Sequence, residues 1–397
     1  MQPDPVKRVR HFPVISVDDH VCEPAQMFEG RLPRRYSNRA PRVAATSDGA
    51  DAWYIDDTVV PQVGFNAAVG RPPSRHINDP IRFADMRAGT YDIHERVADM
   101  NLDGVYASLC FPSYLAGFGG VRLQSISRDL GFSLALVRAW NDWMAEEWAG
   151  TYPERIIPLQ LAWLHDPKLA AKEIEMNAAR GFRAVTFPES PQAAGFPSLH
   201  SGYWDEFLAA CAATRTVINV HTGSAGSLPK TNDDAPSDLA SAMFGAGYAL
   251  STTLDWLYSR CAVKFPDLRI SISEGGIGWV PALLDRLDHI YRKQGDRHDL
   301  WVDSDMSATE VLQRNFFFCL LDEPSATVQF ERIGVDRIMF ETDYPHSDSS
   351  WPDSQDLLHD HLVGAPTTTV EKIAWRNASE LFGHEVPQAV QEDPNAF

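Results

Sequence analysis

The sequence predicts a (β/α)8 barrel, and three observations lead there. Eight short apolar runs rich in β-branched and aromatic residues recur along the chain, as buried strands require. Segments with helical spacing separate them, which favours parallel pairing through right-handed crossovers. No G-x-G-x-x-G follows an early strand, so the competing doubly wound sheet lacks its usual signature.

The predicted strands, in order, are VISVDDH (14–20), DGVYASLCFP (103–112), RIIPLQLAW (155–163), FRAVTFPES (182–190) and TVINVHTG (216–223). LRISISEGG (268–276), NFFFCLLDE (315–323) and DRIMFETDYPH (336–346) complete the set. Helical spacing runs over 130–150, 166–181 and 203–215. Asp166 followed by Pro167 reads as an N-cap with proline in the first turn, and Gly181 closes that helix. The stretch from about 25 to 90, rich in Pro, Gly, Arg and aromatic residues, reads as an irregular insertion into one barrel domain spanning 1–397.

Bulk properties bound the function. The 397 residues are 44% hydrophobic and 22% charged, an ordinary globular balance. A formal net charge of −19 disfavours nucleic acid and anionic membrane as partners. Five scattered cysteines form no C-x-x-C pair, which predicts reduced thiols. Cys22 lies near an acidic cluster, but a lone cysteine more often serves as a small buried apolar residue. The N-terminus has no apolar signal core, and no stretch is long enough to span a membrane. The expectation is a cytoplasmic protein acting on a small molecule.

In such barrels the chemistry sits at the C-terminal ends of the strands. Those ends carry Asp18 and His20, then His221, Glu274 and Asp343. Asp18 and His20 are two residues apart on one strand, so they share a face, while Asp19 points to the helix layer. His221 alone would read as a hydrogen-bonded core histidine. Glu274 follows RISIS and precedes GGIGW, a strand end before a permissive turn, and a carboxylate buried there needs a partner. Four strands ending in ligand types predict a divalent metal site of one or two ions. Imidazole with carboxylate suits zinc, manganese or iron rather than a thiolate-preferring metal. Such a metal polarises a carbonyl and lowers the pKa of a bound water.

With those residues in place, the chain resembles the amidohydrolase-2 (amidohydrolase-related) family. Its relatives include aminocarboxymuconate-semialdehyde decarboxylases and aromatic-acid decarboxylases. DDHVCEP resembles the opening D-x-H-x-x-E-P block, VHTGS the fifth-strand histidine block, and FPDLRISISEGGIGWVPALLDRLD the sixth-strand block. GVDRIMFETDYPHSDSSWPDS and EKIAWRNASELFG resemble the eighth-strand block and the closing helix. The resemblance implies metal ligands at His20, His221 and Asp343, with Asp18 at the first position of the opening pair. Relatives commonly place a catalytic histidine after the sixth strand, and here that position is Glu274. Glu274 then acts either as a general base or as a ligand in a two-metal site, with Asp343 sharing the proton transfer. The resemblance also implies a homo-oligomer, or a pairing with a related second subunit.

Secondary candidates surround this set. Glu23 reads as a ligand, a substrate contact, or an ion-pair partner of Arg31, Arg34 or Arg35. His346 lines the site or closes a turn. Trp279 and Trp351 either wall the pocket or pack in the core, and His76 and His94 flank a stretch positioned to reach over the barrel mouth. The leading functional expectation is hydrolysis of a small carbonyl, amide or ester substrate by a metal-activated water. Non-oxidative decarboxylation, oxygen chemistry at an iron or di-iron centre, and a non-catalytic subunit role stand as alternatives.

Overall fold

The computed structural model describes residues 3–76, 79–226, 231–236, 238–294 and 305–397. Twelve strands are found among them: β1 (Ile15–Val21), β2 (Arg42–Ala45), β3 (Asp51–Ile55), β4 (Thr58–Pro61), β5 (Ala107–Pro112) and β6 (Ile156–Ile157). The others are β7 (Leu159–Leu161), β8 (Ala184–Thr186), β9 (Val217–His221), β10 (Ile270–Ser273), β11 (Phe316–Leu320) and β12 (Ile338–Phe340). Each of the eight predicted runs contributes to one sheet, ordered β6-β5-β1-β12-β11-β10-β9-β8-β7. All of its pairings are parallel.

The two ends of that order meet. β6 and β7 are halves of the single run RIIPLQLAW, interrupted at Pro158. The first half pairs with β5 and the second with β8, so the sheet closes into an eight-stranded barrel. Proline lacks the N–H that a continuous ladder would use, which accounts for the break. Helices fill the crossovers as predicted. Asp166 caps Pro167–Ala179 by accepting the Lys168 and Leu169 amides, and Gly181 follows with φ 102°.

The insertion is not irregular throughout. β2, β3 and β4 form a three-stranded antiparallel sheet, with Asp56 at φ 49° in the turn between β3 and β4. An Asp-Asp turn is a weaker hairpin signal than Asn-Gly, so the sequence pattern understates it. Trp53, Ile55 and Val60 of this sheet join the same apolar cluster as the barrel strands. Ile77 and Asn78, which open the predicted mouth-covering stretch, lie outside the described residues. Among the described residues no helix is long and apolar enough to cross a membrane.

Candidate metal centre

Asp18 and His20 lie within β1, His221 ends β9, Glu274 follows β10 by one residue, and Asp343 lies three residues past β12. The barrel brings all five together. His20 Nε2 is 3.1 Å from His221 Nε2, 3.4 Å from Asp18 Oδ1 and 3.3 Å from Asp343 Oδ1. His221 Nε2 is in turn 3.5 Å from Asp18 Oδ2 and 3.2 Å from Glu274 Oε2. His346 joins the group, with Nδ1 at 2.9 Å from Asp343 Oδ1 and its ring stacked on His20 at 3.8 Å.

Local backbone geometry aims these groups. Asp343 N–H donates to the Asp18 carbonyl and His20 N–H to the Tyr344 carbonyl, tying the end of β1 to the segment after β12. Glu274 and Asp343 both have φ of 51°, a left-handed conformation that non-glycine residues seldom adopt and that recurs at functional sites. After Glu274 the Glu323 carboxylate accepts the Ile277 and Gly278 amides at 2.7 and 2.9 Å. A Cβ at Gly276, which has φ 63°, would lie 2.7 Å from that carboxylate, so the turn needs glycine there. His221 Nδ1–H donates to the Thr222 carbonyl at 2.6 Å, which leaves the Nε2 lone pair facing Asp18 and Glu274.

The electrostatics of the group are those of a cation site. Both oxygens of Asp18, Oδ2 of Asp343 and Oε2 of Glu274 are buried and receive no hydrogen bond, while Asp343 Oδ1 faces His346 Nδ1 at 2.9 Å. Burial, reinforced by the neighbouring carboxylates, pushes all three acids well above the usual carboxylate range. Burial also holds His221 down at about 4 and His20 and His346 well below the ordinary imidazole value. Neutral imidazole nitrogens and unpartnered carboxylate oxygens form a donor set that a divalent cation satisfies, and its charge would return the acids to their ionised form. Three overlapping ligand groups occur among the described residues: Asp18/His20/His221, His20/Asp343/His346 and Glu274/Asp343/Asp348.

Other predicted positions lie elsewhere. Glu23 is neither in the cluster nor paired with Arg31, Arg34 or Arg35. It is fully buried and accepts the Tyr114, Leu115 and Ala116 amides at 2.9, 3.2 and 3.0 Å, while Arg31 pairs with Glu146 and Glu147. Trp279 packs edge-on against Phe318 and donates its indole N–H to the Gly275 carbonyl, so it pins the turn after Glu274 instead of walling a pocket. Trp351 donates to the Asp99 carbonyl. His76 bonds the Arg71 carbonyl, and His94 bonds the Tyr152 hydroxyl. Asp19 is buried away from the cluster, taking hydroxyls from Ser16, Ser108 and Thr342 and the Tyr344 amide. The Cys22 thiol is buried and pushed up to about 12, which leaves it neutral.

Several site residues carry no signal in the sequence pattern. Phe118 lies over three imidazoles, with centroid distances of 4.6, 4.5 and 5.5 Å to His20, His221 and His346. Glu341 is buried, raised to about 8 by burial, and accepts the Glu274 amide at 3.1 Å. Glu189, raised to about 7 by burial, accepts the Gly223 amide and so holds the segment after His221. Two cavities border the cluster. One of about 340 Å³ is lined by Glu274, Glu341, Asp343 and Asp348, and one of about 590 Å³ includes none of the clustered ligands but adjoins them through Phe118 and Thr222, with Asn66 and β4 also in its lining. A larger cavity of about 830 Å³, between the helices Leu250–Tyr258 and Val280–Gln294, is lined neither by the clustered ligands nor by Phe118 or Thr222.

A barrel with imidazole and carboxylate donors converging at its strand ends defines a metal-dependent enzyme class. Residues 90–384 match the Amidohydrolase family model, and the chain belongs to that family. A search of curated proteins finds no match. Among solved structures, an amidohydrolase from Mycobacterium avium subsp. paratuberculosis K-10 is similar at TM-score 0.71 and 21% identity, covering 94% of this chain and 100% of that one. The 5-carboxyvanillate decarboxylase of Novosphingobium aromaticivorans DSM 12444, complexed with manganese and 4-hydroxy-3-methoxy-5-nitrobenzoic acid, is similar at 0.64 and 18%, covering 94% and 96%. The 2,6-dihydroxybenzoate decarboxylase from Rhizobium is similar at 0.60 and 16%, covering 94% and 99%. At these identities the likeness concerns the fold.

Proposed function

We propose that this amidohydrolase-family chain is a metal-dependent hydrolase of a small carbonyl substrate such as an amide or ester. One observation carries the reading: buried carboxylate oxygens of Asp18, Glu274 and Asp343 converge on the facing Nε2 atoms of His20 and His221. Asp18, His20 and His221 would hold a divalent cation, with Asp343 and Glu274 at its border. When bound, the cation supplies Lewis acidity and a water that ionises near neutrality.

The protein's own groups do the rest. Glu274, with its backbone held by Glu341, takes a proton from the attacking water. That proton passes through the Asp343 carboxylate, oriented by His346 Nδ1 at 2.9 Å, to the leaving group. Phe118 covers the imidazoles and restricts bulk water.

Decarboxylation is the second reading, supported by the similar fold of two decarboxylases, one of them with manganese. Glu274 in place of the expected histidine weighs against it. Turnover in 18O-labelled water separates the two. Hydrolysis places solvent oxygen in the product acid. Carbon dioxide release with a solvent hydrogen on the product carbon would overturn the hydrolytic reading.

A further inference from the structure

The cleft above Phe118 has an uneven chemistry. Val59, Val60, Val63, Val121 and Phe244 give it apolar walls, and among the described residues Arg122 is the one arginine, lysine, aspartate or glutamate that lines it. In a chain of net charge −19, no described carboxylate forms an ion pair with Arg122. One edge of the exposed guanidinium is nonetheless tethered. Its Nη1 donates to the Tyr114 carbonyl, the Tyr114 hydroxyl donates to the Val63 carbonyl at 2.5 Å, and the Tyr114 amide is anchored on buried Glu23 at 2.9 Å. An exposed guanidinium tethered at Nη1, with no described side-chain partner for its other N–H groups, is suited to capturing a carboxylate or similar anion.

We infer that Arg122 sets specificity by binding an anionic group of the substrate remote from the bond that reacts, while the substrate's apolar body lies in the cleft above Phe118. The substrate class is therefore an apolar, ring- or chain-bearing organic anion, in which the charge on Arg122 is separate from the carbonyl presented to the metal centre. The inference rests on the hydrolase reading for the position of that carbonyl, but its binding arm does not.

The test uses isothermal titration of the metal-loaded protein with three probes of one shape: 4-phenylbutyrate, 4-phenylbutyramide and 4-phenylbutylamine. The wild type should bind the acid about tenfold or more tighter than the amide, the scale of a charge-assisted hydrogen bond. Arg122→Met should erase that preference with metal content and thermal midpoint unchanged, Arg122→Lys should retain part of it, and Arg122→Glu should shift it toward the amine. A preference for the acid that survives in Arg122→Met would assign the anion to the metal and overturn the inference. Equal binding of acid and amide by the wild type, or no binding of any probe, would overturn it too. Because turnover is not measured, failure of the hydrolytic reading leaves these outcomes legible, and failure here leaves solvent-oxygen incorporation intact.

Discussion

The two cavities that border the metal cluster are built on opposite principles. The smaller, about 340 Å³, gathers Glu274, Glu341, Asp343 and Asp348 and concentrates negative charge at the ends of β10 and β12. The larger, about 590 Å³, is apolar apart from a few hydroxyl and amide groups and Arg122. The acidic chamber costs stability unless a cation neutralises it, because several buried carboxylates cannot ionise side by side. The apolar cleft needs no ion and can exclude water from the reacting bond. On the proposed reading, one region handles the cation and proton and the other accommodates the substrate's shape.

Substitutions can break this division, and the largest effects should come from the cluster itself. His221→Ala should abolish metal retention and reduce turnover by about a thousandfold or more, read by metal analysis beside kinetics. Glu274→Gln keeps the shape and removes the base, so turnover should fall by about a hundredfold or more. Retained metal in that variant would make Glu274 a proton carrier, and lost metal would make it a ligand.

On the cleft side the effects should fall on stability and substrate affinity. Glu23→Ala strands three loop amides and should cost about 3 kcal/mol in denaturant unfolding, with KM raised more than kcat lowered. Trp279→Phe removes one hydrogen bond and should cost about 1 kcal/mol with metal content unchanged. A large loss of metal in this last variant would contradict its role as a pin for the turn.

The acidic chamber also predicts a pH signature. Without a cation, the folded pKa values of Asp18, Glu274 and Asp343 are raised, so the native state holds protons that the unfolded chain releases above about pH 4. Their contribution to stability is present below that point and is lost as pH rises through the raised values. His221, lowered to about 4, acts in the other direction, adding stability as pH rises toward about 6.5. Above about pH 6.5 only the carboxyl effect remains. The gain in Tm on adding manganese should therefore grow between about pH 6.5 and 8.5.

The same contrast explains what the sequence reveals. The barrel strands are legible because strands buried on both faces read as continuous apolar runs, and their last residues carry ligand types. Asp18, His20, His221, Glu274 and Asp343 are local signals of that kind. The contacts of Glu23 are not, since its acceptor role depends on a loop some 90 positions away that folds back onto β1. Phe118, Glu341 and Arg122 acquire meaning only once separate strands are brought side by side. The left-handed backbone at Glu274 and Asp343 likewise has no signature in residue type, because neither is a glycine. The β2-β3-β4 sheet is faint in the sequence for a related reason, its turn being Asp-Asp in a stretch dominated by Pro, Gly and Arg.

The central claim is that the acidic chamber and the paired imidazoles hold a divalent cation on which the protein depends. Metal analysis of the purified wild type, followed by thermal unfolding before and after chelation, tests it most directly. One or two divalent ions per chain, with a Tm that falls on chelation and returns on reconstitution, is the predicted result. Protein grown with ample manganese, zinc and iron that carries none of them, and whose Tm ignores both chelator and metal, would contradict the account.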